Sequence, residues 1–347
     1  MKSIFNYNLP QLQQMLSEQG FKSFSAKQVF AWLYKRRVFD VQEMSDLNKG
    51  TRQHLSEQYS FDLLALKTKQ VSSDGTIKYL FETEDKSLVE TVLMSHNYGY
   101  SICVTTQLGC SMGCKFCASG LIKKQRDLTT AEMVLQVLQV QKYLDETDMR
   151  ISNMVIMGTG EPFDNFDAVM NFIDIVNEDQ GLGIGARRIT VSTCGIVPAI
   201  KKFADLQSQV NLAISLHAPN QEIREELMPI AKAYPLPELM DSLKYYLAKN
   251  NRRLTFEYIL LKDVNDSVEH AQELAKLIRG MNAYVNLIPY NEVDEHLYKT
   301  SSFKQSMKFY DQLKRNHIQV TLRKEHGSDI DAACGQLRSK HIKRGTV

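Results

Sequence analysis

The spacing of apolar residues divides the chain into three kinds of segment. In the first part, apolar positions recur every three to four residues. This predicts helices at 9–19, 26–37 and near 47–59, with Ser25 available as the N-cap of the second. We assign these helices to an N-terminal helical accessory domain, residues 1–62. On pattern alone, this domain is a structural cap on the main body.

Between residues 63 and 100, apolar positions alternate with polar ones, as in half-buried strands. Two such runs, 66–73 and 76–83, flank Asp74-Gly75, a pair that supplies the positive φ angles of a tight hairpin turn. A further strand at 88–94 places Glu90 among apolar neighbours. We therefore expect a small β extension in which Glu90 is either a paired buried carboxylate or a base with a raised pKa.

From residue 101, short apolar strands alternate with amphipathic helices, a pattern typical of a parallel sheet covered by helices. A Thr129-x-x-Glu132 capping box marks the start of the first helix. Six strand–helix units are too few for a closed eight-stranded barrel. We predict an α/β fold with an open, partial (β/α)6 TIM-like barrel at 101–300, followed at 301–347 by a helix, a strand and a loop carrying Cys334. The predicted strands are 102–106, 153–158, 188–193, 210–217, 254–261 and 284–289, and the predicted later helices are 166–176, 236–247 and 268–278.

Composition is that of an ordinary globular protein, with 347 residues, 43% hydrophobic and 24% charged. Neither a membrane-spanning apolar run nor a signal peptide is evident, so we expect a cytoplasmic protein with no membrane partner. Six cysteines in such a protein favour metal ligands or catalytic thiols over a disulfide framework. The net charge of +2 gives no overall basic footprint, and each local basic cluster fits a solvated face or a partner contact equally well.

Three cysteines lie close together after the first barrel strand, in the spacing Cys-x3-Cys-x2-Cys at Cys110, Cys114 and Cys117. Three thiolates do not complete a four-coordinate zinc site, but they can bind three irons of a [4Fe–4S] cluster and leave the fourth iron open. The rival interpretation is a zinc site with Cys103 as the fourth ligand. Cys334 is isolated, and isolated cysteines are most often buried apolar fillers, although its neighbours are small and acidic residues.

Polar residues fall where the predicted barrel strands end, which is where barrel-like folds place their active sites. The loop Gly158-Thr159-Gly160-Glu161-Pro162 follows the second strand. Its glycines permit a close backbone approach to a ligand, and Glu161 can accept hydrogen bonds from an ammonium group. The other strand-end residues are Ser192, Cys194, Ser215, His217 and Asn291. We interpret Cys194 as structural, whereas His217 fits either a ligand contact or a satisfied strand-end histidine.

These segments together resemble the RlmN family of radical-SAM RNA adenine-C2 methyltransferases, in which SAM is S-adenosylmethionine. The likeness covers nearly the whole chain and is strongest to family members from Firmicutes. It departs from the family at Thr159, where methionine is common, and at Cys194, where serine is usual. The matching segments are VETV, CVTTQLGCSMGCKFCAS, VIMGTGEPFDNF, GARRITVST, SLHAPN, MPI, VNLIPYN and GSDIDAACGQL.

The resemblance implies a mechanism with residues in named roles. One [4Fe–4S] cluster would be bound by Cys110, Cys114 and Cys117. Two SAM molecules would be used per turnover, one to methylate Cys334 and one to provide the 5′-deoxyadenosyl radical. Glu90 would take the adenine C2 proton, and Cys103 would release the product, leaving a Cys103–Cys334 disulfide. The implied SAM contacts are Gly160, Glu161, Ser192, Ser215, Leu216, His217 and Asn291.

The resemblance also implies the partners. The substrates would be an adenosine in the peptidyl-transferase region of 23S rRNA and the adenosine 3′ of the anticodon in tRNA, with the helical domain as a candidate RNA contact. A monomer would then need a one-electron donor such as flavodoxin or ferredoxin, and a disulfide reductant. Two alternatives stay open: a Cfr-type enzyme that methylates adenine C8, and a non-enzymatic iron–sulfur electron carrier or RNA-binding module.

Overall fold

The computed structural model describes residues 1–293, 295–324, 326–327, 329–330 and 337. Cys334 and the rest of the loop assigned to it from sequence lie outside these residues. The strands are β1 (Lys2–Ser3), β2 (Tyr59–Ser60), β3 (Ala65–Val71), β4 (Ile77–Glu82), β5 (Leu88–His96), β6 (Gly99–Cys103), β7 (Gln107–Leu108), β8 (Arg126–Asp127), β9 (Ile151–Ile156), β10 (Ile189–Thr193), β11 (Asn211–Ser215), β12 (Leu254–Leu260), β13 (Ala283–Pro289) and β14 (Gln319–Leu322).

Within the described residues, one mixed sheet of ten strands organises the molecule, in the order β14-β13-β12-β11-β10-β9-β6-β5-β4-β3. The strands from β6 to β14 in this order pair in parallel, and β5, β4 and β3 continue the sheet antiparallel. The predicted α/β class and open, barrel-like sheet are confirmed. The parallel part gains one strand over the prediction, because the tail strand β14 pairs with β13.

Eleven helices lie among the described residues, and most fall where the spacing of apolar residues predicts them. The Thr129–Glu132 capping box is present at the start of the first barrel helix. The helices are α1 (Leu9–Glu18), α2 (Ser23–Phe30), α3 (Lys49–Gln58), α4 (Thr130–Asp145), α5 (Phe166–Asn177), α6 (Val197–Asp205), α7 (Gln221–Leu227), α8 (Ile230–Ala233), α9 (Leu236–Lys249), α10 (Val268–Leu277) and α11 (Phe303–Arg315). The sequence pattern missed α6, α7 and α8, which are short; α6 and α7 follow strand ends closely, and α8 follows α7.

The prediction of Ser25 as an N-cap is wrong. Helix α2 already begins at Ser23, with Lys22 at the N-cap position. The Ser25 N–H donates to the Lys22 carbonyl at 2.9 Å, so the backbone is helical before Ser25 is reached. The helix is also shorter than predicted, because it changes at Ala31 into a π-helical turn, Ala31–Lys35.

The N-terminal helices pack directly on the barrel helices. Asn6 is the main polar link: its Oδ1 accepts the Ala131 N–H at 2.9 Å, and its carbonyl accepts the Asn171 side chain at 2.8 Å. Ile4, Phe5 and Leu33 are buried in the same continuous core as the barrel interior. The N-terminal domain therefore has at least the structural role that its apolar pattern predicts. No helix among the described residues is long and apolar enough to cross a membrane.

Candidate active site

Two neighbouring cavities open at the barrel. We call one the thiol cavity, of about 230 Å³, because Cys110, Cys114 and Cys117 line it together with the Gly158–Pro162 loop. We call the other the Cys103 cavity, of about 270 Å³, because its wall includes Cys103. The two cavities share wall residues, among them Cys117 and Met157. A reactive species formed in the thiol cavity would therefore lie next to the Cys103 cavity.

The cysteine loop is fixed by backbone hydrogen bonds rather than by regular structure. Cys110 N–H donates to Ile122 O at 3.0 Å, and Cys117 N–H donates to Cys114 O at 3.2 Å. Gly109 has a φ of +82°, and a Cβ there would lie 2.5 Å from the Lys123 carbonyl oxygen. Only glycine fits this position, which turns the chain so that the following thiols face one cavity.

The three thiols are suited to bind a metal cluster, because a bound metal would displace their protons. Burial raises the pKa of Cys110 to about 11, and burial together with the neighbouring thiols raises that of Cys114 well above its usual range. Thiols in such surroundings stay protonated and inert unless a metal displaces the protons. Among the described residues, no three His, Cys, Asp or Glu side chains could hold a metal ion as a single site. Three thiols spread around one cavity fit a cluster in which each binds a different iron.

Cys103 does not complete a zinc site with these thiols. Cys103 lines only the Cys103 cavity, whereas Cys110 and Cys114 line only the thiol cavity. A tetrahedral zinc site requires all four ligands around one ion. The placement of Cys103 therefore argues against the zinc alternative.

The glycine loop packs tightly against the end of the first barrel strand. A Cβ on Gly158 would lie 2.7 Å from Thr105 Oγ1, and one on Gly160 would lie 2.6 Å from the Gln107 side chain. Gly160 also has a φ of +109°, a backbone conformation that suits glycine alone. The glycines are thus required by the protein's own packing, in addition to any approach of a ligand.

Glu161 is buried in the wall of the thiol cavity. Its carboxylate accepts the Cys194 N–H at 2.7 Å and the Phe163 N–H at 3.0 Å. Burial raises its pKa, and these hydrogen bonds partly oppose that effect. The side chain of Gln107, which the sequence analysis missed, accepts the Glu161 N–H at 2.8 Å. Glu161 is therefore held in one orientation by both neighbouring strands.

Ser192, Ser215 and His217, three of the predicted SAM contacts, line the thiol cavity. The two serine hydroxyls lie 3.4 Å apart. His217 is buried and adopts a left-handed φ of +57°, and its Nδ1 accepts the Ile259 N–H at 3.1 Å. Burial, and secondarily the charge of Arg224, lowers the pKa of His217 to about 3. The ring is therefore neutral, with its proton on Nε2.

Leu216 and Asn291 are placed differently from the other predicted SAM contacts. Leu216 is fully buried, and its backbone N–H donates to Glu257 O at 3.1 Å. Asn291 lines the Cys103 cavity instead of the thiol cavity. A ligand contacting both Ser192 and Asn291 would have to bridge the two cavities.

Arg224 is a buried residue of the site that the sequence analysis missed. It is 1% exposed, and its Nη2 donates to Cys194 O at 2.7 Å and to Ser215 O at 3.5 Å. One side chain from α7 thereby joins the ends of β10 and β11. No sequence signal marks it, because an arginine in a short helix normally predicts a solvated position.

The Cys103 cavity is bounded by the antiparallel part of the sheet. Val92 on β5 and Val155 on β9 are the register partners of Cys103, and all three line the cavity. Because alternate residues of a strand share a face, Glu90 lies on the same face as Val92, two residues away in the direction in which β6 ends. Glu90 is thus brought to the side of the sheet that carries Cys103.

Glu90 is a paired buried carboxylate, as one of the two sequence interpretations holds. Its Oε2 lies 3.1 Å from Lys78 Nζ, and the two side chains are 5% and 0% exposed. Lys78 lies on the neighbouring strand β4 and was missed, because a lone lysine in an alternating strand predicts the solvent face. Cys334, the third predicted catalytic residue, lies outside the described residues.

Two family models match the chain. Residues 104–278 match the radical SAM superfamily, and residues 2–60 match the ribosomal RNA large subunit methyltransferase N-terminal domain. The first match contains nearly all residues of the thiol cavity and the strands β9 to β12, and the second spans the helices α1 to α3.

Relatives and a solved structure match over almost the whole length. Proteins described as "probable dual-specificity RNA methyltransferase RlmN" from Spiroplasma citri and Enterococcus faecalis are each 54% identical to the chain. They cover 98% and 100% of it, and 98% of their own lengths. The crystal structure of a radical SAM methyltransferase from Sphaerobacter thermophilus is 40% identical and superposes with a TM-score of 0.92. That match covers 97% of this chain and 99% of the other.

Proposed function

The chain belongs to the RlmN family of radical-SAM RNA methyltransferases, and from that premise we propose that it methylates C2 of adenosine in 23S rRNA and in tRNA. It is a SAM-dependent enzyme of the radical SAM superfamily, which implies a [4Fe–4S] cluster. The two-thiol mechanism proposed below is supported mainly by one observation. Cys103 lines a cavity that shares a wall with the thiol cavity and has Glu90 on the same face of the sheet.

The thiol cavity is the binding site for both cofactors. Cys110, Cys114 and Cys117 would hold the cluster, and Glu161, Ser192, Ser215 and His217 would contact SAM. When bound, the cluster and SAM supply a 5′-deoxyadenosyl radical. The buried Glu161 carboxylate is positioned to accept hydrogen bonds from an ammonium group, and the neutral His217 can donate from Nε2.

Cys334 would carry the methyl group to the base, and Glu90 would accept the proton that is lost from C2. The Cys334 thiolate takes a methyl group from one SAM by displacement. After the loss of one hydrogen atom, that carbon adds to C2 of adenine, a position too electron-poor to attack SAM directly. The adduct then gives its unpaired electron to a one-electron acceptor and its C2 proton to Glu90, whose Oε2 lies 3.1 Å from Lys78 Nζ.

Release of the product would use the second thiol. Cys103 attacks the Cys334 sulfur, and the carbon–sulfur bond breaks with its electron pair left on the carbon, which takes up a proton to become the methyl group. A Cys103–Cys334 disulfide remains, so each cycle requires a disulfide reductant. A one-electron donor such as flavodoxin or ferredoxin would serve the cluster.

The experiment that tests the proposal is anaerobic reconstitution of the cluster with SAM and an RNA containing the target adenosine. We expect 5′-deoxyadenosine, a methyl group on Cys334 and a new methyl at C2, each identified by mass spectrometry. A methyl at C8 would assign the chain to the Cfr type of reaction. Absence of Cys334 methylation would overturn the mechanism.

The role of Cys103 has a separate test. In Cys103→Ala, the reaction stops after the methylene carbon has joined RNA to Cys334. The variant should therefore accumulate protein bound covalently to RNA, visible as a shifted band under denaturing conditions. A variant that purifies free of RNA and still turns over would remove Cys103 from this step.

A further inference from the structure

The chain that leaves β14 reaches across to the other end of the sheet. Among the described residues, β14 and β3 are the two end strands of the sheet. His326, Gly327 and Asp329 nevertheless contact the turn between β3 and β4, and His326 packs edge-on against His96 at 4.9 Å between ring centroids. This segment thus links the tail to the β extension, past the opening of the Cys103 cavity.

Two carboxylates make the link, and we call the group the clasp: Ser72, Ser73 and Asp74 on the turn, with His326, Gly327 and Asp329 on the tail. Asp74 Oδ2 accepts the Gly327 N–H at 3.0 Å and lies 3.5 Å from His326 Nδ1. Asp329 in return accepts the Ser73 N–H at 2.9 Å and the Ser72 hydroxyl. The bonds are reciprocal, so neither segment can shift without losing both carboxylate contacts.

Asp74 is the central residue of the clasp. Its Oδ1 accepts the Thr76 N–H at 2.9 Å, which fixes the carboxylate on the turn, while Oδ2 is directed to the tail. Although partial burial opposes the effect, the hydrogen bonds from Gly327 and Thr76 hold the pKa of Asp74 well below its usual range. The carboxylate is therefore ionised at any pH at which the enzyme works.

The clasp borders the Cys103 cavity. Thr76 on the turn side and Arg323, Lys324 and His326 on the tail side all line the Cys103 cavity. Beyond the clasp, Ile330 is four residues before Cys334, which limits Cys334 to within ~14 Å of Ile330 at ~3.5 Å per residue. Leu337, on the far side of Cys334, is 6% exposed.

We infer that the clasp is a positioning device: Asp74 and its partners shorten the tether of Cys334 and so keep its thiol near Cys103. The inference rests on the proposed function, in which these two cysteines meet in every cycle. While the clasp is closed, Ile330 limits Cys334 to a distance of ~14 Å. Without the clasp, the nearest anchored residue before Cys334 is Arg323, whose N–H is bonded to Leu287 O, and the intervening chain allows ~38 Å.

The test compares Asp74→Ala and the near-isosteric Asp74→Asn with a control in the neighbouring turn, Asp85→Ala. Asp85 accepts the Ser87 N–H and pairs with Arg126, so it braces the same β extension without touching the tail. Each holoenzyme is equilibrated anaerobically with glutathione mixtures. The Cys103–Cys334 bond forms as two thiol protons and two electrons pass to glutathione disulfide, which leaves as two glutathione thiols.

We expect the ratio of disulfide to dithiol to fall in Asp74→Ala, to fall less in Asp74→Asn, and to stay unchanged in Asp85→Ala. If the clasp had only a structural role, the Asp74 and Asp85 variants would melt at lower temperatures but keep the same ratio of disulfide to dithiol. That result would overturn the inference. If the unaltered enzyme forms no Cys103–Cys334 disulfide and carries no methyl on Cys334, the proposed function fails and the clasp has no such role.

Discussion

The two cavities are neighbours, yet they are built from different parts of the chain. The thiol cavity takes its wall from loops that directly follow parallel strands, with three of its thiols within eight residues. The Cys103 cavity combines the antiparallel β extension, the segment after β13 and the tail. The comparison indicates that binding the cofactors depends on local sequence, whereas arranging the reaction depends on contacts between distant segments.

The two cavities also differ in electrostatics. Around the thiol cavity, burial disfavours the charged forms: it raises the pKa of Cys110 and Glu161 and lowers that of His217, while hydrogen bonds partly oppose the effect at Glu161. Beside the Cys103 cavity, the buried Glu90 carboxylate is paired with Lys78. A neutral, desolvated wall favours a cluster and a zwitterionic ligand. On the Cys103 side, the Glu90 carboxylate supplies an oxygen atom that can accept a proton.

The largest expected effect is loss of a cluster ligand in the thiol cavity. Cys114→Ala removes one of three thiolates, and a cluster held by three protein ligands does not persist on two. We expect iron and sulfide content per chain to fall to background after reconstitution, and 5′-deoxyadenosine formation with it.

Cys194→Ala is the matched control, because Cys194 lines the same cavity. Burial and the nearby Glu161 raise the pKa of its thiol well above the usual range, which is typical of a structural cysteine. This variant should retain full iron content. A loss of iron equal to that of Cys114→Ala would make Cys194 a ligand.

The second prediction concerns the charge pair on the other side. Lys78→Met leaves the Glu90 carboxylate buried without its ammonium partner, which costs about 3–5 kcal/mol of unfolding free energy. Urea unfolding measures the loss. Lys67→Met is the control, because its ion pair with Glu82, also 3.1 Å long, is partly exposed and contributes at most about 1 kcal/mol.

The double variant Lys78→Met with Glu90→Gln separates charge from packing. It should recover much of the lost stability, since no uncompensated charge remains, while losing the proton-accepting group. If the single variant is as stable as the unaltered protein, the pair is not the electrostatic unit described here.

The contrast between local sequence and contacts of distant segments also decides which site residues the sequence could predict. Cys110, Cys114 and Cys117 were found from spacing, and the strand-end positions of Ser192, Ser215 and His217 from the period of the pattern. The three cysteines are close together in the chain, and the other residues end predicted strands, so the local sequence pattern identifies them.

Lys78, Arg224 and Asp74 could not be assigned in this way. Lys78 pairs with Glu90 only because of the β4–β5 register, and Asp74 meets Gly327 across 253 positions of sequence. Arg224 is buried because two strand-end carbonyls accept its hydrogen bonds. Lys78 and Arg224 are charged residues buried by partners that only the fold brings together, where residue type alone predicts exposure, and Asp74 is an exposed turn residue whose partner is distant in the sequence.

The third prediction tests how tightly the thiol cavity is packed. Gly160→Ala introduces a Cβ 2.6 Å from the Gln107 side chain at a φ of +109°, which should cost about 2–3 kcal/mol and weaken SAM binding. Gly280→Ala is the control: its φ is +81°, but nothing lies within 4 Å of the added Cβ. It should cost about 1 kcal/mol by urea unfolding and leave SAM affinity unchanged. Equal losses in the two variants would mean that backbone strain, and not the contact with Gln107, governs the site.

The smallest expected effect is a pH dependence that originates in the thiol cavity. The pKa of His217 is lowered from 6.5 to about 3 in the folded protein, so the unfolded chain binds the proton more tightly. The stabilisation is fully present above pH 6.5 and is lost as the pH falls towards 3; between pH 7.5 and 5.5 the loss is about 1.4 kcal/mol. His217→Gln should lower stability at neutral pH, through the lost bond to Ile259, and remove this part of the slope. Urea unfolding of both proteins at a series of pH values measures the difference in slope. If stability depends on pH equally in the two proteins, the imidazole of His217 is charged or solvated. The wall of the thiol cavity would then not differ from that of the Cys103 cavity in the way described above.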